Sequence, residues 1–307
     1  MADHRFELAT ASDGQIPVVQ CWNTEGPARG AVIIAHGMGE HSLRYERLGR
    51  LLVAAGFKVY ANDHRGHGQT VCSESQLGDF GPEGWRGLVD DELRLIRRVR
   101  EGLAGPLLIL GHSMGSMLVQ QLLVEASELL DGAALSGTTA VDVMAAAVAA
   151  NANQGDGEAS LFASFNAAFE PVRTESDWLS RDSEQVDLYV NDPLCGFSVS
   201  EESLSSLMEA GVIYSTDEAT EKIRKDLPIY LFSGDADPVS LGGELVKKVE
   251  ERYRHAGIAD VTRKLYAGAR HEVFNETNRA EVEADFIAWA IRVRDGHIGA
   301  DSKDGGL

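Results

Sequence analysis

The sequence predicts an α/β fold, a mostly parallel sheet with helices on both faces and an inserted, mainly helical cap. Two observations predict it. Short, β-branched apolar runs bounded by glycine alternate with stretches of helical periodicity, the rhythm of successive βαβ units. That rhythm stops near residue 139 and returns near residue 226, and the stretch between them has helical patches but no clear strand.

Gly30 to His36 (GAVIIAH) reads as a strand buried on both faces. Arg44 to Ala55 then spaces Leu48, Leu51, Leu52 and Ala55 as one side of a helix, and FKVYAND from Phe57 reads as the next strand. Glu83 to Leu103 carries Leu88, Leu93, Ile96 and Val99 along one helical side, and Pro106 to Leu110 (PLLIL) follows as a buried strand. Gly111 to Gly115 turns the chain into another helix, after which Gly132 to Ser136 (GAALS) is a strand again. Beyond the interruption, Pro228 to Ser233, a helix around Glu244 to His255, Val261 to Tyr266 and a helix from Arg279 to Val293 restore the alternation. The expected organisation is therefore a core of residues 1–138 and 226–295, a cap of residues 139–225, and a Gly-rich, charged, disordered tail of residues 296–307.

Composition narrows the function classes. Of 307 residues 44% are hydrophobic and 25% charged, which suits a packed globular protein. Acidic residues outnumber basic ones 48 to 28, and the resulting charge of −20 repels phosphate backbones, so no nucleic-acid partner is expected. Cys21, Cys72 and Cys195 are scattered, with no CxxC, which argues against a disulfide framework or a zinc knuckle and for a reducing compartment. The N-terminus lacks a basic stretch followed by an apolar one, and no apolar run approaches the roughly 20 residues that span a bilayer. A cytoplasmic location is expected, with at most transient membrane-surface contact through the cap.

The chemistry begins at Gly111-His112-Ser113-Met114-Gly115, a G-x-S-x-G placed after an apolar strand and before a helix. That context holds a serine on a sharp turn with its hydroxyl exposed, which makes Ser113 the candidate nucleophile. A serine hydroxyl attacks only when an imidazole can take its proton and an acid orients that imidazole. His271, in a loop beyond the last strand, is the candidate base, whereas His255 and His297 sit at a charged helix end and in the tail. The acid lies in Ser233-Gly234-Asp235-Ala236-Asp237, at the C-terminal edge of a strand, and spacing leaves Asp235 and Asp237 both open. Donors for a developing oxyanion are expected from the Met114 amide and from the glycine-flanked Met38 amide of His36-Gly37-Met38-Gly39. His64 and His67 have no supporting carboxylate or cysteine cluster, so no metal and no cofactor are predicted. Trp178, Leu179 and Phe197 either line an acyl channel or pack the cap on the sheet.

The segments HGMGEHSLRYERL (from His36), NDHRGHGQT (from Asn62), GHSMGS (from Gly111), SGDADPV (from Ser233) and GARHEVFNE (from Gly268) resemble the monoacylglycerol lipase and lysophospholipase branch of the α/β-hydrolases. The likeness extends into the insertion, in Ser180-Arg181 through Val186-Asp187-Leu188-Tyr189 to Asn191-Asp192-Pro193-Leu194. It implies the α/β-hydrolase fold and a Ser113–His271–Asp237 triad that hydrolyses small-molecule or lipid esters through an acyl-enzyme. It also implies oxyanion donors at Met38 and Met114, and Glu40 and Arg44 beside the alcohol side of the site, where such lipases hold a glycerol headgroup. One position departs: where the family carries a second histidine three residues after the catalytic one, this chain has Phe274, an apolar wall.

Overall fold

The computed structural model describes residues 2–152 and 164–304. Eight strands make one sheet: β1 (His4–Glu7), β2 (Val18–Trp22), β3 (Gly30–Ala35), β4 (Phe57–Asn62), β5 (Leu107–His112), β6 (Gly132–Ser136), β7 (Ile229–Gly234) and β8 (Val261–Tyr266). Their order is β1-β2-β4-β3-β5-β6-β7-β8; β1 and β2 pair antiparallel, β2 pairs antiparallel with β4, and the remaining neighbours are parallel. This is the fold class the alternation predicts.

The buried strands sort their side chains with the pleat. Ala31, Ile33, Leu107, Ile109, Ala133, Leu135, Ile229 and Leu231 face one core, and Val32, Ile34, Leu108, Leu110, Ala134, Tyr230 and Phe232 face a second. Because both faces are covered, β3, β5, β6 and β7 are buried at every residue and read as continuous apolar runs rather than alternating ones. Helices α2 (Gly84–Glu101) and α3 (Met114–Ala126) and the helix Glu244–His255 close the first core through Leu88, Ile96, Leu118, Val246 and Val249. Helix α1 (Glu46–Ala54) and the last helix close the second with Leu48, Leu52, Phe286 and Trp289.

Three features depart from expectation. The antiparallel β1 and β2 have no counterpart in the sequence reading. The segment predicted as one helix from Arg44 opens instead with a tight turn, Ser42–Tyr45, before α1 begins at Glu46. The last helix runs from Arg279 to Asp304, past the residue 296 where a disordered tail is predicted. Gly296 and Gly299 each disfavour helix by about 1 kcal/mol, too little to end one already anchored by Phe286 and Trp289. Residues 305–307 lie outside the described ones.

Between β6 and β7 the described residues form helices and turns and no strand: α4 (Val141–Ala152), Ser183–Val190, Glu201–Tyr214 and Asp217–Thr220. Leu207 and Tyr214 of Glu201–Tyr214 join the core built on α2 and α3. Phe165, Trp178, Leu179 and Tyr189 form a separate cluster with Val239, over the C-terminal ends of the strands.

Candidate active site

Ser113 stands between β5 and α3 at φ 52° and ψ −120°, a left-handed backbone that a non-glycine residue adopts at a cost. The flanking glycines are required by contact. A Cβ on Gly111 would come 2.4 Å from the Gly115 carbonyl oxygen, and one on Gly115 would come 2.1 Å from that of Ala35. The turn is therefore held by the packing of α3 against β3 and β5, and it presents Ser113 to a cavity of about 670 Å³.

His271 lines the same cavity. Its Nδ1 lies 3.0 Å from Asp237 Oδ1. Asp237 also accepts from the Ser233 hydroxyl at 2.6 Å and from the Val239 amide at 2.9 Å. Burial disfavours a charged carboxylate at Asp237, but His271 and these donors overcome it and hold its pKa below the usual value. An ionised carboxylate brings no proton, so Nδ1 must donate to it, and Nε2 of the neutral ring carries the lone pair. Nε2 is buried with no hydrogen-bond partner among the described residues. Burial also works against protonation of His271, yet the Asp237 charge and hydrogen bond outweigh it and raise the pKa above the ordinary histidine value. Asp235, the other aspartate of the segment, is exposed and accepts from the Gly268 amide instead.

The two oxyanion candidates also reach this place. Met114 is the first residue of α3, where amides have no intrahelical acceptor and the helix dipole is positive. In the loop after β3, Gly37 N donates to Glu40 Oε1 at 2.6 Å and Gly39 N to His67 Nε2 at 3.2 Å, which leaves the Met38 amide uncommitted among the described residues. The accepting role of His67 needs a neutral ring. Burial supplies that condition, drawing the pKa of His67 down to about 4 and that of His64 to about 3. His36, His64 and His67 pack ring against ring beneath the loop, so the histidines of this segment brace it.

Glu40 and Arg44 are not joined by one helical face, since His41 between them is extended. They nevertheless pair at 2.7 Å, and Arg44 adds a bidentate bond to Glu272 at 2.6 and 2.7 Å. Tyr45 donates to Glu40 at 2.8 Å. Burial opposes ionisation of Glu272, but the charge and hydrogen bonds of Arg44 prevail and bring its pKa to about 2. Glu40 and Glu272 border the large cavity, whereas Arg44 and Phe274 line a smaller one of about 20 Å³. Phe274 packs edge-on against Phe232 and Phe286 in the second core and is not among the residues lining the Ser113 cavity.

Trp178 answers both readings offered for it. Its ring lies 5.0 Å from that of His271, and it belongs to the apolar cluster of the insertion. Its neighbour Leu179 accepts from the Glu272 amide at 2.8 Å, so the insertion grips the loop that carries the histidine. Phe197 lines the cavity and packs on His67 at 5.1 Å. Glu272 is the site residue the sequence reading passed over; adjacency to His271 was its one signal, because its partner Arg44 is distant in the chain.

Known proteins resemble this chain over most of its length. A family model described as serine aminopeptidase, S33, matches residues 26–278. The monoacylglycerol lipase of Mycolicibacterium smegmatis is 28% identical over 302 residues, covering 94% of this chain and 97% of that protein. The monoglyceride lipase of Homo sapiens is 29% identical over 280 residues, covering 86% and 82%. The crystal structure of a thermostable carboxyl esterase from Bacillus coagulans, in complex with glycerol, matches with a TM-score of 0.83 at 29% identity, covering 95% of this chain and 99% of that one. The family match begins before β3, continues through the elbow, and ends past His271, and the chain accordingly belongs to the serine aminopeptidase S33 family of α/β-hydrolases.

Proposed function

We propose that the chain is a serine ester hydrolase acting on monoacylglycerols and related small or lysophospholipid esters through an acyl-enzyme. The observation that carries the reading is the His271 ring, tied to Asp237 at 3.0 Å through Nδ1 with Nε2 unpartnered among the described residues, in the cavity that Ser113 lines. Ser113 attacks the ester carbonyl while His271 Nε2 takes its proton, and Asp237 keeps the tautomer and stabilises the imidazolium. The amides of Met38 and Met114 receive the developing oxyanion. His271 then protonates the departing alcohol and later activates water for deacylation.

Lipase and esterase names among the relatives support an ester over an amide, despite the peptidase wording of the family description. In this reading residues 139–225 form a cap that shapes the acyl side and touches a lipid surface transiently. No helix among the described residues is long and apolar enough to cross a membrane. Three free cysteines fit work in a reducing cytoplasm. The test is a hydrolysis panel crossing chain length with headgroup: p-nitrophenyl esters, monoacylglycerols, lysophosphatidylcholine and aminoacyl amides. Turnover of the esters is expected, and faster turnover of aminoacyl amides would overturn the assignment.

A further inference from the structure

The chain contains six methionines, and all five after Met1 line one apolar pocket that opens beside Ser113. Met38 arrives from the loop after β3, Met114 and Met117 from α3, Met144 from α4, and Met208 from the helix Glu201–Tyr214. Four separate stretches of chain thus bring their methionines to one place at the edge of the first core, whose remaining side chains are chiefly branched and aromatic.

The free volume of this pocket is about 50 Å³, room for roughly four waters and too little for a long acyl chain. A long chain enters only if the wall yields. Methionine is unbranched, turns about three bonds and presents a polarisable thioether, so it repacks around different shapes at little cost, whereas leucine and isoleucine hold one shape. We infer that the pocket is an adaptable acyl site, one that accepts straight, branched and bent acyl chains by repacking its methionines and that is closed when those thioethers are oxidised. What enters rests on the ester-hydrolase reading above; the pocket's composition does not.

The closing step uses a peroxide. The thioether sulfur attacks one peroxide oxygen, the O–O bond breaks and water leaves, so that sulfur is oxidised to the sulfoxide and the peroxide is reduced. The new S–O group is a strong acceptor in a lining that is apolar apart from the Ser113 hydroxyl and the Trp178 indole, and an acyl chain packs poorly against it.

The test compares the wild type with M117L/M144L/M208L, a nearly volume-conserving triple change that leaves both oxyanion candidates in place. Both are labelled with fluorophosphonates carrying an ethyl group or a long straight, branched or cis-unsaturated chain. The wild type is expected to react with the three long probes at rates within about tenfold of one another, and the triple variant to spread them by more than about tenfold while keeping its ethyl-probe rate. Hydrogen peroxide should cut long-probe labelling of the wild type by at least about tenfold and spare the ethyl probe, with recovery requiring methionine sulfoxide reductase and its thiol reductant. The triple variant should be markedly less sensitive. A triple variant with the wild-type chain preference and the wild-type peroxide response would overturn the inference, as would recovery with thiol alone, which assigns the effect to a cysteine. The ethyl probe reads the nucleophile alone, so a wild type that it fails to label overturns the hydrolase reading instead.

Discussion

The two sides of Ser113 are built on opposite principles. On the side of Glu40, Arg44 and Glu272, a buried guanidinium is held between two carboxylates, and Gly37, Tyr45 and Asn275 supply further donors. On the other side methionines, Phe165 and Trp178 form an apolar wall. A saturated hydrogen-bond network fixes atoms in one arrangement, because every departure strands a buried polar group. Apolar packing fixes a volume and tolerates different fillings of it. The polar side anchors the loop of Met38 and the loop that carries His271, where the proposed catalysis needs fixed distances. In the proposed reading the apolar side meets the part of a substrate that varies. Breaking the polar side should therefore disturb every substrate, and altering the apolar side should disturb some.

The largest expected effect lies where the two sides meet. Ser113→Ala should lower ester hydrolysis on the order of 10⁴-fold to 10⁶-fold and abolish fluorophosphonate labelling, with an unchanged thermal melt. Activity within about tenfold of the parent would remove Ser113 from the mechanism. Asp237→Asn should cost about 10⁴-fold, since an amide at that position reverses the tautomer His271 needs.

Arg44→Ala comes next and tests the polar side directly. It leaves Glu40 and Glu272 buried without a counter-ion, which should cost about 3 to 5 kcal/mol in stability by denaturant titration. The kcat/KM for a monoacylglycerol and for a p-nitrophenyl ester of the same acyl chain should fall together. A loss confined to the monoacylglycerol would mean that Arg44 recognises the alcohol, and the polar side would then be a binding surface rather than a brace. Acid should mimic the substitution. Because the pKa of Glu272 is drawn down to about 2, its contribution is complete above the ordinary glutamate value near about 4.3 and is lost as the pH falls towards 2, so the melting temperature should drop across that interval.

A smaller effect, about tenfold per pH unit, separates the histidines. His271 must be neutral to accept a proton, and its pKa is raised, so kcat/KM should fall as the pH drops through a value above the ordinary histidine pKa of about 6.5. The same sign governs stability: the interaction with Asp237 contributes fully below the unfolded pKa and fades as the pH rises through the folded one. His64, His67 and His112 are pushed to about 3, 4 and 4 by burial and stay neutral throughout, so one ionisation should describe the limb down to pH 5. Two ionisations between pH 5 and 8 would show that a second histidine titrates with the first.

The parallel strands and the elbow were legible because each announces itself locally. A doubly buried strand must be apolar throughout, and the turn at Ser113 admits only glycine where Gly111 and Gly115 meet backbone. Long-range partners were not legible. Nothing within the segment from His41 to Tyr45 says that Arg44 faces Glu272, and the exposed, polar β1 has no pattern apart from the β2 it pairs with. The surroundings of Phe274 were not legible for a related reason. Its position three residues after His271 suggested a wall of the site, but the turn Val273–Asn275 carries it into the core beside Phe232.

The smallest expected effect is at Asp235, where the sequence left a choice that the structure makes physical. Asp235 and Asp237 flank one residue at the end of β7, yet the chain turns between them so that Asp237 is fully buried against His271 and Asp235 is exposed. The Asp235 carboxylate accepts from the Gly268 amide at 2.6 Å, a bond that fastens the end of β7 to the turn following β8. An asparagine there keeps an acceptor oxygen in nearly the same place and gives up only the charge. Asp235→Asn should therefore lower stability by no more than about 1 kcal/mol and leave kcat/KM within about threefold of the parent for both ester types. Asp235→Ala removes the acceptor and should cost more stability than Asp235→Asn, again without separating the two substrates. If Asp235→Asn instead matched Asp237→Asn in lost activity, the acid of the mechanism would be the exposed aspartate, and the buried pair with His271 would be a structural contact only.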